Sequence, residues 1–79
     1  MPTREISLDQ LPIGTKANVC ALLSGGSNRR RMLDLGLIDG TEIEPLYKSP
    51  SGNPVAYRIR GAVIALRRDV SSKILVKRA

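Results

Sequence analysis

Apolar positions along this chain change their period several times, and each change marks a new element. Between Thr15 and Leu23, Ala17, Val19 and Ala21 alternate with Asn18 and Cys20, the two-residue period of a strand with one buried face. Val55, Tyr57 and Ile59 alternate with Ala56, Arg58 and Arg60 in the cleanest pattern of this kind. Glu42 to Lys48 reads as a strand too. Pro45 lacks an N–H, so that strand is expected at a sheet edge or with a bulge there. Gly61 closes a tight hairpin between the Val55 strand and the strand Ala62 to Leu66. Ile74-Leu75-Val76 ends the pattern as a last strand.

Only one segment carries helical signals of any length. Ser24-Gly25-Gly26 is a flexible loop, and Ser27 or Asn28 offers a side-chain oxygen to cap a helix starting there. The helix is expected to run to about Leu35. Gly36 then supplies the left-handed residue that ends it, and Leu37 falls where an apolar side chain packs back on Met32. Two single turns are expected besides: Leu8 to Leu11, opened by Ser7 and ended by Pro12 and Gly14, and Asp69 to Lys73. Asp39-Gly40 and the run Pro50-Ser51-Gly52-Asn53-Pro54 are turn signals.

Short strands joined by Gly and Pro turns predict a mainly β chain. The expected architecture is a small SH3-like five-stranded barrel with one inserted α-helix, and an OB-fold is the second choice. With 79 residues there is room for one domain and one core, spanning 1–79.

Thirteen Lys and Arg against seven Asp and Glu give a net charge of +6. That excess favours anionic partners: acidic proteins, nucleic acid or a membrane surface. The single cysteine, Cys20, has no partner for an internal disulfide and suits a reducing compartment. No apolar run follows Met1-Pro2-Thr3-Arg4-Glu5, and Ala62 to Leu66 is too short to cross a bilayer. A cytoplasmic location is the expectation.

Candidate chemistry is sparse. There is no His, and one Cys alone makes neither a thiolate–imidazole pair nor a Cys/His zinc site. Glu42 and Glu44 share a strand face, where neighbouring carboxylates are ordinarily solvated. Ser24-Gly25-Gly26-Ser27 lacks the Gly-Lys-Ser/Thr ending of a phosphate loop. No enzyme activity, cofactor or metal site is therefore expected. Arg29-Arg30-Arg31 is the densest positive run. It reads either as a grip on phosphates or an acidic partner, or as a solvated helix face with Arg30 pairing Asp34. Aromatic stacking on nucleic acid has little to work with: two Tyr, no Phe and no Trp. Tyr57 belongs to a core pattern, which leaves Tyr47 as the one stacking platform.

Four stretches, in order, resemble the FeoA family of bacterial ferrous-iron transport systems. They are Leu8-Asp9-Gln10-Leu11-Pro12-Ile13-Gly14, the segment Arg31 to Thr41 with its Leu35-Gly36-Leu37, the turn Ser49 to Tyr57, and Gly61-Ala62-Val63-Ile64-Ala65-Leu66-Arg67-Arg68. Asn53 stands where the family usually has Asp, and Pro45 interrupts a strand usually rich in Val. The resemblance implies an SH3-like domain that binds and regulates a large membrane ferrous-iron transporter, whose cytoplasmic part is a GTP-binding domain. It implies no tight iron site in the small protein itself. A basic nucleic-acid-binding barrel is the alternative from another class, and self-association stays open.

The partner surface is expected on the helix and on the Pro50–Pro54 turn. Arg30 and Arg31 would attract an acidic face, Met32 or Leu35 would reach a partner groove, and Leu33 leans to the core. Pro50, Ser51, Gly52 and Asn53 form the second candidate patch, because stiff exposed loops often carry recognition.

Overall fold

The computed structural model describes residues 5–78. Six antiparallel strands form one sheet: β1 (Glu5–Ser7), β2 (Ala17–Leu22), β3 (Glu42–Lys48), β4 (Val55–Ile59), β5 (Ala62–Leu66) and β6 (Ile74–Arg78). Their order across the sheet is β1-β6-β2-β3-β4-β5. A single 3₁₀ turn spans Leu8–Gln10; helix α1 covers Gly26–Asp34 and the short α2 covers Arg68–Ser71.

The mainly β, SH3-like architecture is as expected, with two corrections. The sheet has six strands rather than five, because Glu5–Ser7 pairs with β6 through Glu5↔Lys77, Ile6↔Val76 and Ser7↔Leu75. The sheet is also open. Among the described residues β1 pairs only with β6 and β5 only with β4, so no ladder closes a barrel.

One apolar cluster joins the elements. Leu8 and Leu11 from the first turn meet Ala17 and Val19 of β2, Met32 of α1, Ile43 of β3, Tyr57 and Ile59 of β4, and Ile74 and Val76 of β6. The alternation in β2 and β4 is thus the inward face of the sheet. Pro45 is accommodated because the β2–β3 ladder has already ended: it pairs only Ala17↔Ile43 and Asn18↔Glu42. Beyond that point β3 needs no donor on its β2 side, and a register shift between Pro45 and Tyr47 marks the expected bulge.

The β4–β5 hairpin turns on Arg60 and Gly61, with φ of 52° and 84°. Two consecutive left-handed residues make the type I′ turn whose twist matches the strands. At the other end of β4, Ser49 N–H donates to the Pro54 carbonyl at 3.1 Å and Gly52 N–H to the Ser49 carbonyl at 2.8 Å, closing the Pro50–Pro54 turn. No described helix is long and apolar enough to cross a membrane.

Candidate partner-binding surface

Helix α1 is anchored mainly at its C-terminal end. Gly36, at φ 92°, donates to the Leu33 carbonyl at 3.0 Å, and Leu37 donates to the Met32 carbonyl at 3.0 Å. These are the two bonds of a Schellman motif, and Met32 and Leu37 make its apolar contact within the core. Gly36 and Leu37 end the helix as expected. Its N-terminal end differs from expectation: Gly25 is the N-cap, no side chain caps the helix, and Ser27 and Asn28 lie inside its first turn. Arg29 compensates by donating its guanidinium to the Leu22 carbonyl at 3.1 Å, tying the helix to β2.

This docking decides which residues of α1 face outward. Met32 is 3% exposed and Leu33 is 41% exposed, the reverse of the expected roles. The reason is the Schellman contact, which needs the residue five before Leu37 to point inward and turns Leu33 about 100° away. Leu35 packs partly against the core. Arg30 and Arg31 are both exposed. The pairing of Arg30 with Asp34 is not formed: among the described residues the ion pairs are Arg58–Glu44 at 3.8 Å and Arg67–Asp69 at 3.6 Å.

Between α1 and β5 lies an open groove of about 440 Å³. Met32, Leu35, Ile64, Leu66 and Val70 make it apolar, and Arg31 and Arg67 stand on it with Asp69. Of the sequence candidates, Arg31, Met32 and Leu35 come together here; Arg30 sits on the helix outside it. Ile64, Leu66, Val70 and Arg67 were not singled out. The available signal was a strand, Ala62 to Leu66, with no polar position at all.

The Pro50–Pro54 turn borders a second groove, of about 570 Å³, with Tyr47, Ala56, Val63 and Ala65. Pro50 and Ser51 are exposed. Asn53 has work inside the fold: its side-chain oxygen accepts the Arg68 N–H at 3.0 Å, capping the start of α2 from across the chain. Ser51 Oγ donates to the Asn53 carbonyl at 2.9 Å. The two candidate patches therefore border the same strand, β5, and Ala65 lines both grooves.

Two further titratable side chains are governed by burial. Cys20 is half-buried on β2; burial raises its thiol pKa, the Glu5 carboxylate adds to that, and Lys77 opposes it. A protonated thiol is a poor nucleophile. Tyr57 is buried in the core; burial raises its pKa and the neighbouring Ser71 hydroxyl partly offsets this. Among the described residues no three acidic, Cys or His side chains gather as a metal-holding group.

The FeoA domain family model matches residues 6–78. The chain belongs to the FeoA family, which is associated with ferrous iron transport. It is 33% identical over 70 residues to a fusion of Fe(2+) transport protein A with the Fe(2+) transporter FeoB from Porphyromonas gingivalis. That match covers 89% of this chain and 8% of the fusion protein. The solved FeoA-like protein of Clostridium acetobutylicum is 36% identical, with a TM-score of 0.85 over 96% of this chain and 87% of that one. FeoA of Stenotrophomonas maltophilia is 27% identical, with a TM-score of 0.80 over 90% of this chain and 88% of that one. It was solved with zinc and described as an SH3 domain protein proposed to activate bacterial ferrous iron transport. FeoA domains are accessory, transport-associated domains.

Proposed function

We propose that this FeoA domain is a non-catalytic interaction module that binds and regulates the cytoplasmic, GTP-binding part of a membrane ferrous-iron transporter. The observation that carries this reading is the α1–β5 groove: an apolar floor of Met32, Leu35, Ile64 and Leu66 beside the exposed Arg31 and Arg67. An apolar cleft rimmed by cations fits an acidic protein surface with apolar anchors. Covalent linkage of the two proteins in the Porphyromonas gingivalis fusion supports the choice of partner.

The test is capture of the transporter's cytoplasmic domain by the Arg30→Glu/Arg31→Glu double variant, with circular dichroism alongside. Neither side chain makes an ion pair among the described residues, so the variant is expected to fold. Capture should fall at least about tenfold, the effect of removing steering charges at a cation-rimmed surface. Undiminished capture by the folded variant excludes this face from the interface. Tyr47, 62% exposed beside Lys48, is what a nucleic-acid binder would use. Binding of single-stranded DNA that survives in physiological salt and is lost in Tyr47→Ala would favour that alternative.

A further inference from the structure

Among the described residues β5 is the long open edge of the sheet, and its geometry says which groups it offers. The turn residues Arg60 and Gly61 make Ile59↔Ala62 a hydrogen-bonded pair. Antiparallel pairs alternate, so Tyr57↔Ile64 and Val55↔Leu66 are bonded as well. The N–H and C=O groups of Val63 and Ala65 therefore point away from β4, into the open edge.

Proteins normally blunt such an edge with a charge, a proline or a bulge. β5 has none of these: its sequence is Ala-Val-Ile-Ala-Leu, and its register against β4 runs without a shift. Both grooves open along it, with Ile64, Ala65 and Leu66 in one and Val63 and Ala65 in the other. Arginines stand at its two ends, Arg58 and Arg60 before it and Arg67 and Arg68 after it; Glu44 and Asp69 offset two of them.

We infer that β5 receives an extended segment of a partner protein as an added strand, with apolar side chains at alternate positions and carboxylates at both ends. Main-chain bonds to Val63 and Ala65 supply the pairing. Apolar residues on one face of the segment enter the α1 groove, and its other face meets Val63, Ala65 and the Pro50–Pro54 side. One ligand thereby uses both candidate patches. The terminal carboxylates answer the flanking arginines.

Charge also decides against a second copy of this chain. Antiparallel pairing of two β5 edges sets the arginines before one copy's strand, Arg58 and Arg60, near those after the other's, Arg67 and Arg68. That the transporter supplies the segment rests on the function proposed above. The strand-addition mode does not, and it is tested without the transporter.

The probe is the synthetic peptide acetyl-Glu-Asp-Ile-Thr-Val-Thr-Ile-Asp-Glu-amide, added to the ¹⁵N-labelled domain. Amide resonances of Val63 and Ala65 should shift, and their hydrogen exchange should slow at least about tenfold, because these two amides gain acceptors. The same peptide with Lys in place of its acids should bind at least about tenfold more weakly. Ala65→Pro removes an outward N–H that no described residue accepts and should lose the protection while keeping the β5 ladder. Shifts at the arginines without slowed exchange at Val63 and Ala65 overturn the inference. So does concentration-dependent protection of the two amides without peptide, which would make the edge a self-interface. If Ala65→Pro fails to fold, the exchange data on the unaltered domain decide alone. Protection by the peptide with no transporter capture would retire the proposed partner and keep the binding mode.

Discussion

The helix α1 and the Pro50–Pro54 turn flank the same strand but are held in place by different physics. The helix is docked by apolar burial, with Met32 and Leu37 closed into the core and a Schellman motif fixing the angle. The turn is held by polar bonds: Ser49 to Pro54, Gly52 to Ser49, and Asn53 to the start of α2. Burial is non-directional and worth more per side chain than a net hydrogen bond. Polar bonds are weaker but set direction. A substitution on the helix therefore risks the whole fold unless it is confined to the outer face. One on the turn changes a local geometry.

The largest expected effect breaks the helix side. Met32→Ala removes a side chain that is part of the core and should cost about 2–5 kcal/mol. Leu33→Ala, one position along and exposed, should stay within about 0.5 kcal/mol. Urea unfolding of the two variants reads the contrast directly. Similar losses would mean that the helix is rotated from the position described.

Next comes a pair of glycines that sharpens the comparison. Gly36 and Gly61 have similar φ values of 92° and 84°. A Cβ at Gly61 would meet no atom within 4 Å, whereas one at Gly36 would fall 2.8 Å from Cδ of Arg60. Gly61→Ala should cost about 1 kcal/mol through backbone strain alone. Gly36→Ala adds displacement of the exposed, flexible Arg60 side chain and should cost slightly more, about 1–1.5 kcal/mol. Thermal melts that rank them the other way would show that the Arg60 contact is not held in solution.

Much of this was legible in the sequence for a physical reason: it is local. The alternation in β2 and β4, the two-residue hairpin at Gly61 and the Gly36-Leu37 helix ending each depend on neighbours a few residues apart. Part of what was missed depends on distant partners. β1 holds one apolar residue in three and is a strand only because β6 lies beside it. The start of α1 escaped because Gly25 caps it with backbone alone while better capping residues follow at Ser27 and Asn28. The exchange of roles between Met32 and Leu33 is local: it follows from the Leu37 contact on Met32, which the sequence already indicates and which fixes the helix rotation. Among the candidate site residues, the Arg31, Met32 and Leu35 cluster could be read from one helix face. Its opposite wall on β5 could not, since β3 and β4 intervene along the chain and only the folded sheet brings the two walls together.

The smallest expected effect tests the turn. Asn53 accepts the Arg68 N–H at 3.0 Å, fifteen residues along the chain, and so satisfies one of the donors that a helix start leaves free. Asn53→Ala deletes that acceptor and should cost about 1 kcal/mol. Asn53→Asp keeps an oxygen in the same position and adds a negative charge near the start of α2, beside Arg67 and Arg68. Both features favour an ionised carboxylate, which lowers its folded-state pKa below the unfolded value. Stability of the Asn53→Asp variant should therefore equal or exceed that of the parent at neutral pH. The gain is present above the unfolded carboxylate pKa of about 4 and is lost as the pH falls through the folded value. Urea unfolding of the parent and both variants at pH 7 and pH 3 makes the comparison. A gain in Asn53→Asp that is undiminished between pH 7 and pH 3 would show that it does not come from the carboxylate's charge, and an Asn53→Ala variant as stable as its parent would show that the turn is held by its own backbone bonds and not by this cap.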